Sequence, residues 1–357
     1  MDELIEDILE TIGGYREEDV NWAFKGMSAE RVKNWINQFD EEDREFLLNE
    51  LKHILPKSYL SKEDTLETFG GEFEVLRKDF GYETVNDFLD ETRFLDCQEE
   101  LKSQKVLLGL IDEVLFEKYG YRIKDCGKKE IKNWLYIDDV LASGKTFKDD
   151  IIEEIQKYGN EEFKESRIRI IASFFILHTW AVVNVPYAIA QSVGVELEKE
   201  KRISFYRVSE IENNPRINAY NPSPKFNHVY PLKGQEGEEF LDFIEAAFDR
   251  QYPMGQEQFA FRDPNYPKEE KFYSSKENRI RYENILLNKG IEIIKSIDEL
   301  RARGIRPLGM APSSYKTLGT GSHFFTWRNI SNTCPLVFWW GANDWQPLFP
   351  VKNRGNG

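Results

Sequence analysis

Two adjacent acids, Asp138 and Asp139, are the residues of this chain best suited to do chemistry. They follow the apolar stretch Trp134, Leu135, Tyr136, Ile137 and precede the small-residue loop Ala142, Ser143, Gly144, which runs into Lys145 and Thr146. A carboxylate pair can accept hydrogen bonds from a vicinal diol, such as the 2- and 3-hydroxyls of a ribose. It can also hold Mg²⁺ through oxygen or water. Small residues let backbone amides close on a phosphate. Thr146 adds a hydroxyl near the start of the next helix, where an N-terminus carries about half a positive charge and unpaired amides. Lys145 either adds a point charge or faces water. The types and spacing describe a sugar-phosphate site.

The same residues admit two other readings. Gly144-Lys145-Thr146 matches the end of a nucleoside-triphosphate P-loop, but that pattern needs a glycine where this chain has Asp139. The plainer alternative is a strand-to-helix connector, with Ser143 or Thr146 capping the helix and the acids as turn residues. Two acids at a buried strand end are costly unless something binds or pairs with them.

The elements that must position these residues are legible from periodicity. Residues 134–137 read as a buried parallel strand whose end delivers the acids. Residues 147–158 read as a helix stopped by Gly159, and 167–177 as a second buried strand. A helix over 181–193 and an alternating strand over 201–208 follow. Strand–helix–strand–helix–strand predicts a parallel, right-handed α/β unit. His178 lies just past the second strand, on the side where a ligand sits, and is a second-tier candidate. The other histidines, His53, His228 and His323, show no ligand spacing.

Upstream, residues 1–118 read as helical. An apolar face begins at 22–25, Ser28 looks like a helix cap, and Val32, Trp35, Ile36 and Phe39 keep helical spacing. Phe46, Leu47, Leu51 and Ile54 form another stripe stopped by Pro56, and residues 101–116 another helix. Downstream, 209–275 is irregular apart from a helix over 238–250. A helix covers 278–303, residues 305–310 read as a returning strand, and 350–357 as a frayed end. Ser313-Ser314 and residues 319–322 read as connectors. The tail holds Phe324, Phe325, Trp327, Phe338, Trp339, Trp340, Trp345 and Phe349. These aromatics either pack on the core or form a hood over the sugar site, with Trp339 and Trp340 able to stack on a base. The expected organisation is a helical region 1–118, an α/β domain 119–321, and a tail 322–357 packed on that domain.

A net charge of −15 argues against nonspecific binding to a bare phosphate backbone. Three widely spaced cysteines, Cys97, Cys126 and Cys334, form neither a zinc pattern nor a disulfide framework. No apolar run approaches the ~18 residues of a membrane span, and the start of the chain is no targeting peptide. The expectation is a cytoplasmic protein with no membrane partner.

Residues 134–146 resemble the phosphoribosyl-diphosphate (PRPP) signature of type I phosphoribosyltransferases, with Tyr136 where an aliphatic is usual. The resemblance implies the fold of that family, a parallel sheet with helices on both faces. It implies that Asp138 and Asp139 are the catalytic acids on the ribose hydroxyls, and that Ala142, Ser143, Gly144, Lys145 and Thr146 cradle the 5-phosphate. PRPP or a nucleotide is the implied ligand, with Mg²⁺ beside the two acids. The whole chain is similar to a narrower group, the phosphoribosyltransferase-like proteins of bacterial conflict and antiphage systems. The pieces that carry this are Val32-Lys-Asn-Trp-Ile-Asn-Gln-Phe39, Asn332-Thr-Cys-Pro-Leu336 and Trp345-Gln-Pro-Leu-Phe349. Some members accompany a retron reverse transcriptase and a small DNA-binding protein, which are the partners this likeness implies. Type I transferases carry an earlier strand and loop that hold pyrophosphate, and none is recognisable upstream of Trp134. Two functions therefore stand: an enzyme acting on a ribose 5-phosphate compound in antiphage defence, or a non-catalytic nucleotide sensor or assembly subunit.

Overall fold

The computed structural model describes the chain except residues 20–23, 25, 100–102, 214–225, 249–258, 314, 343 and 352–357. Of the apolar face expected to begin at 22–25, Phe24 is described and buried; the other three positions, the end beyond 351, Ser314 and part of the irregular stretch lie outside the described residues. In chain order the elements are α1 (Asp2–Ile12), α2 (Ala29–Ile36), α3 (Glu41–Ser58), β1 (Tyr59–Leu60), α4 (Lys62–Asp79), α5 (Val85–Asp90), β2 (Thr92–Phe94) and α6 (Ser103–Tyr119). Then come β3 (Asn133–Leu141), α7 (Lys145–Tyr158), α8 (Asn160–Ser166), β4 (Arg169–His178), α9 (Thr179–Val193) and β5 (Ile203–Ile211). The last are α10 (Gln235–Ala247), α11 (Lys276–Lys295), β6 (Phe325–Thr326) and α12 (Leu336–Trp339). The chain is an α/β protein with parallel sheets and a helical start.

Two compact units form: residues 63–211, and a discontinuous one of residues 1–62 and 212–357. The first carries the sheet β2-β3-β4-β5, in which every neighbouring pair is parallel. Alternation along the strands sorts side chains onto two faces. Trp134 and Tyr136 of β3, with Ile170, Ala172 and Phe174 of β4, meet Phe147, Ile151 and Ile155 of α7 and Ala181, Val185 and Ile189 of α9. On the other face α4 supplies Phe69, 5.3 Å from Phe175, and Phe73, 6.2 Å from Phe94. With both faces covered, β4 is apolar almost throughout, which is why it reads as one unbroken run.

In the discontinuous unit, α1 buries Ile5, Ile8 and Ile12, three and four residues apart. Ser28 caps α2 by accepting from the amide of Arg31 at 3.3 Å. The indole of Trp35 donates to the carbonyl of Val337 at 2.8 Å and stacks 5.7 Å from Phe338. Phe325, Phe338, Trp339, Trp340 and Phe349 share one core with α1, α2 and α3.

The contact pattern thus divides the chain differently from the expected regions. The boundary near 118 is not where contacts thin out; it falls at residue 62, because α4, α5, β2 and α6 pack with the sheet. The tail residues join the core that holds the first three helices. Other details also differ. Pro56 lies inside the last turn of α3 rather than ending the helix before it. Residues 305–310 form no strand, since Pro307 cannot donate and Gly309 has φ +99° and lies against the carbonyl of Thr333. The helix after residue 276 stops at Lys295. The first 118 residues also contain β1 and β2, too short for period-two patterning to reveal.

Candidate functional site

The strand with the two acids is longer than its apolar core. β3 runs on to Leu141, paired with β4 from Asn133↔Arg169 to Leu141↔Leu177. Asp138 and Asp139 therefore lie within the last four residues of a paired strand. Asp138 shares a face with Tyr136, as their common partner Gln98 demonstrates.

Asp138 is buried and hydrogen-bonded at both oxygens. Its Oδ1 accepts from the Ser103 hydroxyl at 2.6 Å and from the amide of Asp139 at 2.8 Å. Its Oδ2 accepts from Gln98 Nε2 at 2.6 Å. Burial, then the neighbouring charge of Asp139, pushes its carboxyl up to about 7 against the pull of these donors. Asp139 is half-buried.

Gln98 is itself held in place. Buried Gln104 accepts the amides of Cys97 at 2.8 Å and Gln98 at 3.1 Å through its side-chain oxygen. The second amide hydrogen of Gln98 goes to the Tyr136 hydroxyl at 3.0 Å, which donates in turn to Asp150 Oδ2 at 2.8 Å. Burial raises Asp150 as well. The Tyr136 ring packs edge-on to Phe147 at 4.9 Å.

The loop after β3 turns on Gly144, which is buried, has φ +75° and occupies the N-cap of α7. An L-residue is strained at that φ, and an added Cβ would overlap Val185 of α9. Neither Ser143 nor Thr146 caps α7; the Ser143 hydroxyl only approaches the amide of Lys145 at 3.4 Å. Thr146 is exposed and Ala142 half-buried. Lys145 points to water, 79% exposed, and pairs with Asp149 at 2.5 Å. Asp138, Asp139 and the loop 142–146 thus share the carboxyl end of β3, where open α/β sheets bind ligands.

His178 ends β4 at the same edge of the sheet, but it is wholly buried and its imidazole is pushed down to about 3 by burial, hence neutral. Trp339 and Trp340 belong to the other compact unit, each 3% exposed. The Trp339 indole donates to the carbonyl of Cys334 at 2.7 Å.

Residues that reasoning from the sequence missed are Gln98, Ser103, Tyr136 and Asp150. Ser103 carries a signal, since it opens a helix. Tyr136 carries another, as a polar tip in an apolar strand. Gln98 carries none. The loop after β2 begins Leu95-Asp96-Cys97-Gln98-Glu99, and Asp96 is paired with Lys105 at 2.6 Å. Among the described residues no group of three or more His, Cys, Asp or Glu side chains could hold a metal. No described helix is long and apolar enough to cross a membrane.

The site therefore consists of two acids near the end of β3, a left-handed glycine and a helix start with no side-chain cap. A family model, PRTase-CE, matches residues 32–351 of the 357. The chain belongs to the PRTase-CE family. The match is to a phosphoribosyltransferase-like family, and it takes in both compact units. Searches of curated proteins and of solved structures found no match. PRTase-CE membership accounts for the α/β sheet and leaves the ligand and the reaction to be argued from the residues.

Proposed function

We propose that this PRTase-CE chain binds the ribose 5-phosphate portion of PRPP or of a nucleotide at the carboxyl end of β3. The observation that carries the reading is the sequence of features at one strand end. Two acids precede a buried left-handed glycine that opens a fourteen-residue helix with no side-chain cap. The first-turn amides of α7 suit a phosphate, and the acids suit sugar hydroxyls. Lys145 contributes at most a distant charge, being paired with Asp149. Mg²⁺ would not be caged by side chains; it keeps several waters and is held by one or two carboxylates plus phosphate oxygens, so Asp139 with the ligand would hold it. There it would neutralise a departing pyrophosphate.

The reaction suited to this pocket is displacement at C1 of the ribose. A nucleophile's lone pair forms the new bond to C1. The bond to pyrophosphate or to a base breaks, and its electron pair leaves with that group. In the antiphage setting implied by the family likeness, the outcome is depletion of a nucleotide or modification of a target. A reverse transcriptase and a DNA-binding protein would be the partners. The acidic loop after β2 and the saturated carboxylate of Asp138 favour a second reading: a sensor that binds the same ligand and turns nothing over.

Turnover of PRPP and of common nucleotides, together with affinity for ribose 5-phosphate, separates these for wild type and Asp139→Asn. Loss of both affinity and turnover in the variant supports the enzyme. Loss of affinity with no turnover in either protein supports the sensor. Unchanged affinity and turnover would sink the pocket.

A further inference from the structure

We infer that Gln98, Tyr136 and Asp150 are positioning residues that tie the carboxyl of Asp138 to α7, so that the sugar and phosphate ends of one ligand are held in fixed register. The inference rests on the ribose 5-phosphate reading above and deepens it.

The connection is continuous and has one direction. One hydrogen of the Gln98 amide goes to Asp138 Oδ2 at 2.6 Å and the other to the Tyr136 hydroxyl at 3.0 Å. That hydroxyl has one hydrogen left, and it goes to Asp150 Oδ2 at 2.8 Å. Every donor is used once, so the Gln98 amide cannot flip without breaking two bonds. Asp150 stands in the second turn of α7, the helix whose first turn forms the phosphate end. Asp138 stands at the sugar end, and its Oδ1 receives the amide of Asp139 at 2.8 Å. Moving Asp138 would therefore move the backbone of Asp139.

Tyr136 is where this chain departs from the aliphatic residue usual in the signature, and the departure has a physical use. A tyrosine costs little in packing here, since its ring lies 4.9 Å from Phe147 and 5.9 Å from Phe174. Its hydroxyl supplies the middle of the connection. The other groups facing Asp138 are Ser103 from α6 and the backbone of Asp139. They hold Oδ1, whereas the Gln98–Tyr136–Asp150 branch runs from Oδ2 to α7.

The test compares two ligands with the same phosphate and different sugars: ribose 5-phosphate and 2-deoxyribose 5-phosphate. Affinity is measured by calorimetric titration of the full chain. Wild type is expected to prefer the ribose compound. Tyr136→Phe keeps the ring and removes the hydroxyl. It should lower that preference about five- to tenfold while leaving the deoxy compound within about twofold, on the scale of one lost buried hydrogen bond. Asp150→Ala should do the same. Asp150→Asn should stay close to wild type, because its amide oxygen can still accept from Tyr136. A purely structural role would lower the melting temperature, or weaken both ligands equally, and either result without a change in preference overturns the inference. If wild type shows no preference at all, or Asp139→Asn loses nothing, the ribose 5-phosphate reading itself fails instead.

Discussion

Gly144 and Val185 meet so closely that a methyl group on the glycine would overlap the valine side chain. The contact brings the start of α7 against α9 and fixes the height of the loop beside the two acids. The small residue at 144 therefore has two reasons: the left-handed backbone, and close approach of a second helix.

Gly144→Ala should destabilise the protein by about 1–3 kcal/mol, combining overpacking with strain at φ +75°. Urea denaturation measures it. Adding Val185→Ala opens space and should recover the overpacking part of the loss, leaving the backbone part. A double variant no more stable than Gly144→Ala would show that the valine is not what the methyl group meets.

The pH dependence of stability contains opposing contributions. Asp138 rises from 3.8 unfolded to about 7 folded, and half-buried Glu72, its carboxyl desolvated and bonded to Ser173, rises from 4.5 to about 7. Between about pH 4 and 7 the folded chain binds these protons more tightly, so both groups lower stability as pH rises. His178 and His323 fall from 6.5 to about 3. Between about pH 3 and 6.5 the unfolded chain binds more protons, so both raise stability as pH rises. Asp138→Asn removes one of the first pair. Its stability relative to wild type should climb between pH 4 and 7 by at least about 1.4 kcal/mol, the worth of one pKa unit. A constant offset across that window would show that Asp138 titrates normally.

Lys145 has the residue type expected of a phosphate ligand and the geometry of a surface ion pair. Lys145→Gln should leave the unfolding midpoint unchanged and alter affinity for ribose 5-phosphate by less than about threefold at physiological salt. A tenfold loss in the titration would show that the side chain leaves Asp149 and reaches the phosphate.

The discontinuous unit is held partly by charge. Arg279, 1% exposed, bridges Glu270 at 2.6 Å and Glu283 at 3.0 Å and donates to the carbonyl of Phe226 at 2.6 Å. Arg262 also reaches Glu283, at 2.9 Å. Arg279→Met strands buried carboxylates and should cost about 3–5 kcal/mol in denaturant unfolding. A cost under about 1 kcal/mol would mean that water enters and solvates the acids.

The sequence by itself determined the α/β class, the succession from β3 to β5, the turn at Gly144 and the acids beside it. These depend on local causes: hydrophobic periodicity, glycine conformation and helix stops act within a few residues of where they are written. What only the tertiary structure decided depends on distant partners. Gln98 reaches Asp138 across forty positions, and no local pattern marks it. β2 was too short to show a period, yet its pairing with β3 moved residues 63–118 into the unit of the sheet. Trp339 and Trp340 had the chemistry to stack on a base, and burial in a core built from both ends of the chain decided where they went, because apolar area is buried wherever complementary surface stands and not where sequence order leads.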